Sequence, residues 1–201
     1  MDASSRGQSV LELSALYFKG IRNGSSGVIK HISNKKYASK GFNLWKPTNK
    51  IVVGRGNTEA HIVIIGEAPG AKEDEIGKPF VGRSGKFLDQ LLQNAGIDIR
   101  KDVYFCNVIK CRPPKNRRPT KTEIQENLPW LLQQIKIVNP KILLLVGATA
   151  TEAILKNKCP ISIIRGKWIY WEGRLVMPIF HPAYLLRNQS IEDGTPMSLT
   201  K

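Results

Sequence analysis

The stretch IVIIGEAPGAKEDEIGKPFVGRSGKFLD, from Ile62 to Asp89, decides how the rest of the chain is read. Four apolar residues, Ile62-Val63-Ile64-Ile65, read as a short buried strand. It gives way at once to Gly66-Glu67-Ala68-Pro69-Gly70, where glycine admits close backbone approach and proline fixes a turn. An acidic pair follows, Glu73 and Asp74, and then an aromatic step, Pro79-Phe80-Val81-Gly82. A carboxylate and an exposed aromatic just past the carboxyl end of a strand suit a pocket for a flat, polar ligand.

Outward from this segment the pattern alternates strands and helices. Strands are expected at His61–Ile65, Val103–Val108, Lys141–Val146 and Leu175–Phe180, and helices at Gly85–Ala95, Thr122–Val138 and Ala148–Lys156. Thr120 or Thr122, followed by Glu123, opens the second helix, and Pro140 ends it. Ile142-Leu143-Leu144-Leu145-Val146 is apolar on both faces, as a central parallel strand must be. This order predicts an α/β fold, a three-layer α/β/α sandwich around a four-stranded parallel sheet. Upstream, Ser9–Ile21 reads as a helix with Val10, Leu11, Leu13, Leu16 and Phe18 as its apolar set, and residues 23–27 break it. One domain is expected over 1–201, with a helix and basic loop in residues 1–50 and the core in residues 51–190.

Thirty-one Lys+Arg against sixteen Asp+Glu give a formal charge of +15. Such an excess favours a polyanion, because contacts to phosphates release condensed counterions. Cys106, Cys111 and Cys159 are too few for a disulfide framework. The N-terminus lacks the pattern of a signal peptide, and no apolar run is long enough to span a bilayer. A monomer in the cytoplasm, with no membrane partner, is the expectation.

Three further segments follow predicted strands: Asn107–Pro114, Gly147–Ala150 and His181–Arg187. Loops at the carboxyl ends of parallel strands converge on one crevice, so the four can share a pocket. Taken in order, GEAPG, the Glu73-Asp74 pair, GKPFVGRSG, NVIKCRPPKNRRP, PKILLLVGATA and HPAYLLR resemble the family 4 uracil-DNA glycosylases over residues 51 to 187. The resemblance implies an enzyme that flips uracil out of DNA and hydrolyses its N-glycosidic bond, leaving an abasic site. It implies that Gly66, Glu67, Ala68 and Gly70 line base and sugar, that Phe80 stacks on the base, that Asn107 reads its Watson–Crick edge, and that His181 sits at uracil O2. Physical chemistry agrees: one side-chain amide can serve O4 and N3–H together, and a donor at O2 stabilises charge on the leaving base. Glu67, Glu73 and Asp74 compete for orienting the attacking water. Tyr184, Leu185 and Leu186 would wedge into the vacated stack. Lys110, Arg112, Lys115, Arg117, Arg118 and Arg187 would hold phosphates.

The chain departs from that family in its cysteines. Members usually carry a four-cysteine iron–sulfur cluster, yet here only Cys111 of the expected ligands is present. Asn127 stands at the helix position, and residues 1–60 have no cysteine. Asn cannot replace a thiolate there, so no cluster, no other metal and no cofactor are expected. The rival reading is a non-catalytic module that binds uracil or DNA with the same pocket. A weaker one is a nucleotide-binding module suggested by Gly54-Arg55-Gly56, which lacks the rest of the GxGxxG pattern and precedes its strand.

Overall fold

The structure, a computed structural model, describes residues 50–156, 158–188, 191–192 and 195–196. The helix expected at Ser9–Ile21, the basic stretch after it and the last residues, 198–201, lie outside them. A six-stranded sheet runs in the order β1-β3-β2-β4-β6-β5. Its strands are β1 (Arg55–Gly56), β2 (Ile62–Gly66), β3 (Val103–Asn107), β4 (Ile142–Val146), β5 (Ile169–Trp171) and β6 (Arg174–Ile179). The four central strands are mutually parallel, as expected, and pair in register from Ile62 beside Val103 to Gly66 beside Asn107. The sheet is wider than expected by two short antiparallel edges, β1 on β3 and β5 on β6. Both are too short to show a period. Only the Glu172-Gly173 turn between β5 and β6, with both φ positive, carries a hairpin signal.

Alternation along the strands fills both sides of the sheet. Val63, Ile65, Tyr104, Cys106, Leu143, Leu145 and Val176 face Leu131, Ile135 and Val138 of α3 (Lys121–Val138) and Ala150, Ala153 and Ile154 of α4 (Ala148–Leu155). On the opposite face Ile64, Val103, Phe105 and Val146 pack on Leu88 and Leu92 of α2 (Arg83–Asn94), and Phe80 joins this cluster. The helix α3 starts at a full capping box, with Thr120 as the N-cap and Glu123 returning a bond to its backbone. Three short helices were not legible as periodic runs: α1 (Ala71–Ile76), α5 (Ile161–Ile164) and α6 (Pro182–Arg187). A last hairpin pairs β7 (Ile191–Glu192) with β8 (Thr195–Pro196). Among the described residues no helix is long and apolar enough to cross a membrane.

Candidate active site

Four strand ends meet around one cavity of about 590 Å³. Its walls come from the loops after β2, β3, β4 and β6, the place where ligands bind in parallel α/β sheets. Of the residues expected to bind uracil, Glu67, Ala68, Gly70, Phe80, Asn107 and His181 line it together. Gly66 lies beneath them. A side chain there would meet Asn107 Oδ1 at 2.5 Å and Phe80 Cζ at 2.6 Å, so the absent Cβ is what lets those two groups converge. The ends of β2 and β3 are stitched past the ladder by Val108 and Ile109, whose amides donate to the carbonyls of Gly66 and Glu67, both at 2.9 Å.

Asn107 ends β3 and is 3% exposed, and its side-chain amide bonds to no described residue. That amide opens into the cavity, which leaves its donor and acceptor available to a ligand. Phe80 is buried rather than exposed as expected, because it packs into the core beside α2 and tilts against Phe105 with ring centroids 5.6 Å apart. Its φ of +55° is in the left-handed region, unusual for an aromatic residue. Surrounding bonds therefore have to impose that conformation.

His181 caps α6. Its Nδ1 accepts from the amide of Ala183 at 3.1 Å, so the neutral ring carries its hydrogen on Nε2. Burial pushes its pKa below the usual value, against an upward pull from Glu67. The ring is thus a neutral donor, not an imidazolium.

The three competing carboxylates have different partners. Glu73 Oε1 accepts from the amides of Val81 at 3.1 Å and Gly82 at 2.8 Å, and so organises the Phe80 loop. Asp74 accepts from the amide of Lys50 at 2.9 Å and does not line the cavity. Glu67 and Glu73 both line the cavity, and Glu67 accepts from the hydroxyl of Thr149. Thr149, Ser84 and Asn116 also line the cavity. Their roles were not legible beforehand, because single hydroxyls and amides carry no spacing signal.

The expected DNA contacts divide. Lys110 is a correction: it is 1% exposed, its Nζ donates to the carbonyl of Asn107 at 2.6 Å and to Gln134 Oε1, and no phosphate can reach it. Burial holds its pKa down to about 8. Arg117 grips Glu123 with two bonds, of 2.6 and 2.9 Å, while remaining partly exposed. That grip pulls the Glu123 carboxyl down to about 2. Arg112 bonds Asn116 Oδ1 at 2.8 Å. Arg118 and Arg187 stand at the cavity wall. On α6, which packs on α2, Tyr184 is exposed and its ring lies on Phe180, centroids 4.9 Å apart. Leu185 and Leu186 are half-buried.

The region of a family cluster is occupied by protein bonds. Asn127 is buried; its Oδ1 accepts from the amide of Lys110 at 3.1 Å and its Nδ2 donates to the carbonyl of Glu123 at 2.9 Å. Burial pushes the Cys111 thiol up to about 12, away from the thiolate a metal requires. No group of three or more candidate ligands occurs among the described residues. One thiol and a satisfied amide do not fit a four-thiolate cluster.

A parallel sheet carrying an unpaired amide, an aromatic platform and a neutral histidine at its strand ends is the frame of a base-excising glycosylase. The uracil DNA glycosylase superfamily profile matches residues 53–198, and the chain belongs to that superfamily. It is similar to the type-4 uracil-DNA glycosylase of Thermotoga maritima, 50% identical over 144 residues, covering 71% of this chain and 74% of that protein. The type-4 enzyme of Saccharolobus solfataricus is 41% identical over 156 residues, covering 74% of this chain and 72% of that one. The type-5 uracil-DNA glycosylase of Thermus thermophilus is more distant, 31% identical over 142 residues, covering 64% of this chain and 63% of its own.

Proposed function

We propose that this chain is a monofunctional uracil-DNA glycosylase of the type-4 group, which flips uracil out of DNA and hydrolyses its N-glycosidic bond. The observation that carries the reading is the unpartnered amide of Asn107 beside Phe80, Glu67 and His181 in one cavity. The flipped base stacks on Phe80, and stacking of this kind contributes about 1–3 kcal/mol per base. Asn107 Nδ2 donates to O4 while its Oδ1 accepts from N3–H; cytosine presents the opposite pair and is refused. As the C1′–N1 bond breaks, its electrons pass to the base and charge gathers on O2, where His181 Nε2–H donates. A preorganised donor of this kind is worth about 10²–10³-fold in rate. Glu67 orients a water whose oxygen bonds C1′ and accepts the proton that this water sheds, and the departing uracil anion takes a proton from solvent.

Arg118, Arg187 and Arg112 hold phosphates in this reading, and Tyr184, with Leu185 and Leu186 behind it, fills the gap left by the base. No iron–sulfur cluster takes part. The buried bonds of Asn127 and Lys110 support that, since they hold the segment after β3 in its place. The DNA substrate supports a cytoplasmic location. A single-turnover assay on an oligonucleotide with one uracil tests the reading. Release of free uracil with an alkali-labile site is expected; binding without release would favour the non-catalytic module.

A further inference from the structure

The arginine of Gly54-Arg55-Gly56 packs behind the Phe80–Phe105 aromatic pair. In β1, Arg55 sits directly opposite Phe105 of β3. The flanking glycines allow the approach: a side chain at Gly54 would meet Tyr104 Oη at 2.1 Å, and Gly56 has φ +102° with Val103 O where its Cβ would lie, at 2.2 Å. The Arg55 guanidinium lies 3.7 Å from the Phe105 ring centroid, on the ring that Phe80 packs against. Its Nε donates to the carbonyl of Pro79 at 2.8 Å, and its Nη2 to the carbonyl of Phe80 at 3.2 Å and to Asp89 Oδ1 at 2.6 Å. Both partners of that ion pair are mostly buried, with side-chain exposures of 17% and 22%. Arg55 does not line the cavity.

We infer that Arg55, aimed by Asp89, is a positioning residue that sets Phe80 at the height and tilt needed to stack on the substrate base. The inference rests on the proposed function. Phe80 adopts a left-handed backbone, so its loop must be held from outside. Glu73 takes the loop's amides and Arg55 takes its carbonyls. A planar fork with fixed donors suits this task and a lysine does not.

The test is a double-mutant cycle between Arg55 and Phe80, read by single-turnover kinetics and by binding of a non-cleavable uracil analogue in DNA. Phe80→Ala should weaken binding by about 5- to 150-fold, the range of one stacked base. Arg55→Met should reproduce about tenfold of that loss. The double variant should be no weaker than Phe80→Ala alone, because Arg55 acts only through Phe80. Losses that multiply would overturn the inference, as would Arg55→Met binding like wild type. Asp89→Asn, which keeps the shape and weakens only the aim, gives the same cycle where Arg55→Met does not fold. Wild-type protein runs in every arm: if it releases no uracil, the proposed function fails, whereas multiplying losses on an active wild type refute the clamp alone.

Discussion

An alanine at Gly66 places one methyl group between the two residues that would grip the base. Its Cβ falls 2.5 Å from Asn107 Oδ1 and 2.6 Å from Phe80 Cζ. Comfortable contacts lie at about 3.5–4.0 Å, so each group must retreat by roughly 1 Å. The strand cannot yield instead, because Gly66 is paired to Asn107 inside the sheet. Phe80 is little freer, with Arg55 on its carbonyl side and Glu73 on the amides after it. Gly66 does not have positive φ, so alanine is not opposed by the backbone and the whole effect is the methyl group. Overpacking of this kind costs about 1–3 kcal/mol, which lowers Tm by about 2–12 °C in a chain of this size. The chain should therefore fold. Activity should suffer more, since a displacement of about 1 Å at a reacting site can cost about 10²-fold. Circular-dichroism melts and single-turnover uracil release measure the two effects separately. Uracil release within about threefold of wild type, well short of that 10²-fold loss, would refute the convergence of Asn107 and Phe80 on Gly66.

Three other perturbations follow from the same geometry. Asn107→Asp removes the donor to O4 and sets a carboxylate beside it, so uracil release should fall by about 10²-fold or more without a gain on cytosine, measured on matched oligonucleotides. His181→Asn keeps a side chain able to cap α6, whereas His181→Ala loses cap and donor together. Both should lose about 10²–10³-fold in rate, but only the alanine variant should lose about 1 kcal/mol of stability in urea melts. For Lys110, the folded pKa of about 8 lies below its ordinary value. The unfolded chain therefore holds the proton more tightly, and stability rises with pH between about 8 and 10.5, by up to about 3 kcal/mol. Lys110→Met should abolish that rise, so wild type gains on the variant across this window; a constant difference in urea melts would refute the buried ammonium.

The parallel centre of the sheet was legible because β2, β3 and β4 are largely apolar runs of strand length, and because Thr120, Glu123 and Pro140 punctuate the helix between two of them. The edges were not. β1 is two residues and β5 three, and each exists only because a neighbour offers a free edge. At the site, the roles expected of Gly66, Phe80, Asn107 and His181 came from the family resemblance, and the fold brings these four residues together. Lys110 was misread, since a lysine in a basic run gives no sign that its stem turns inward.

Sequence alone determined the chemistry available: which residue types stand at four strand ends, in what order, and that too few thiols exist for a cluster. Those are local facts, fixed by apolar periodicity and by composition. Only the tertiary structure decided how the charges are spent. It gave Glu73 to the Phe80 loop, Asp74 to the Lys50 amide, Lys110 to the Asn107 carbonyl and Arg55 to the stacking platform, and it left Glu67 facing the cavity. A charged side chain has no role until burial and partners give it one, and residues from 24 to 34 positions apart, as Arg55 is from Pro79 and Asp89, meet only in the folded chain.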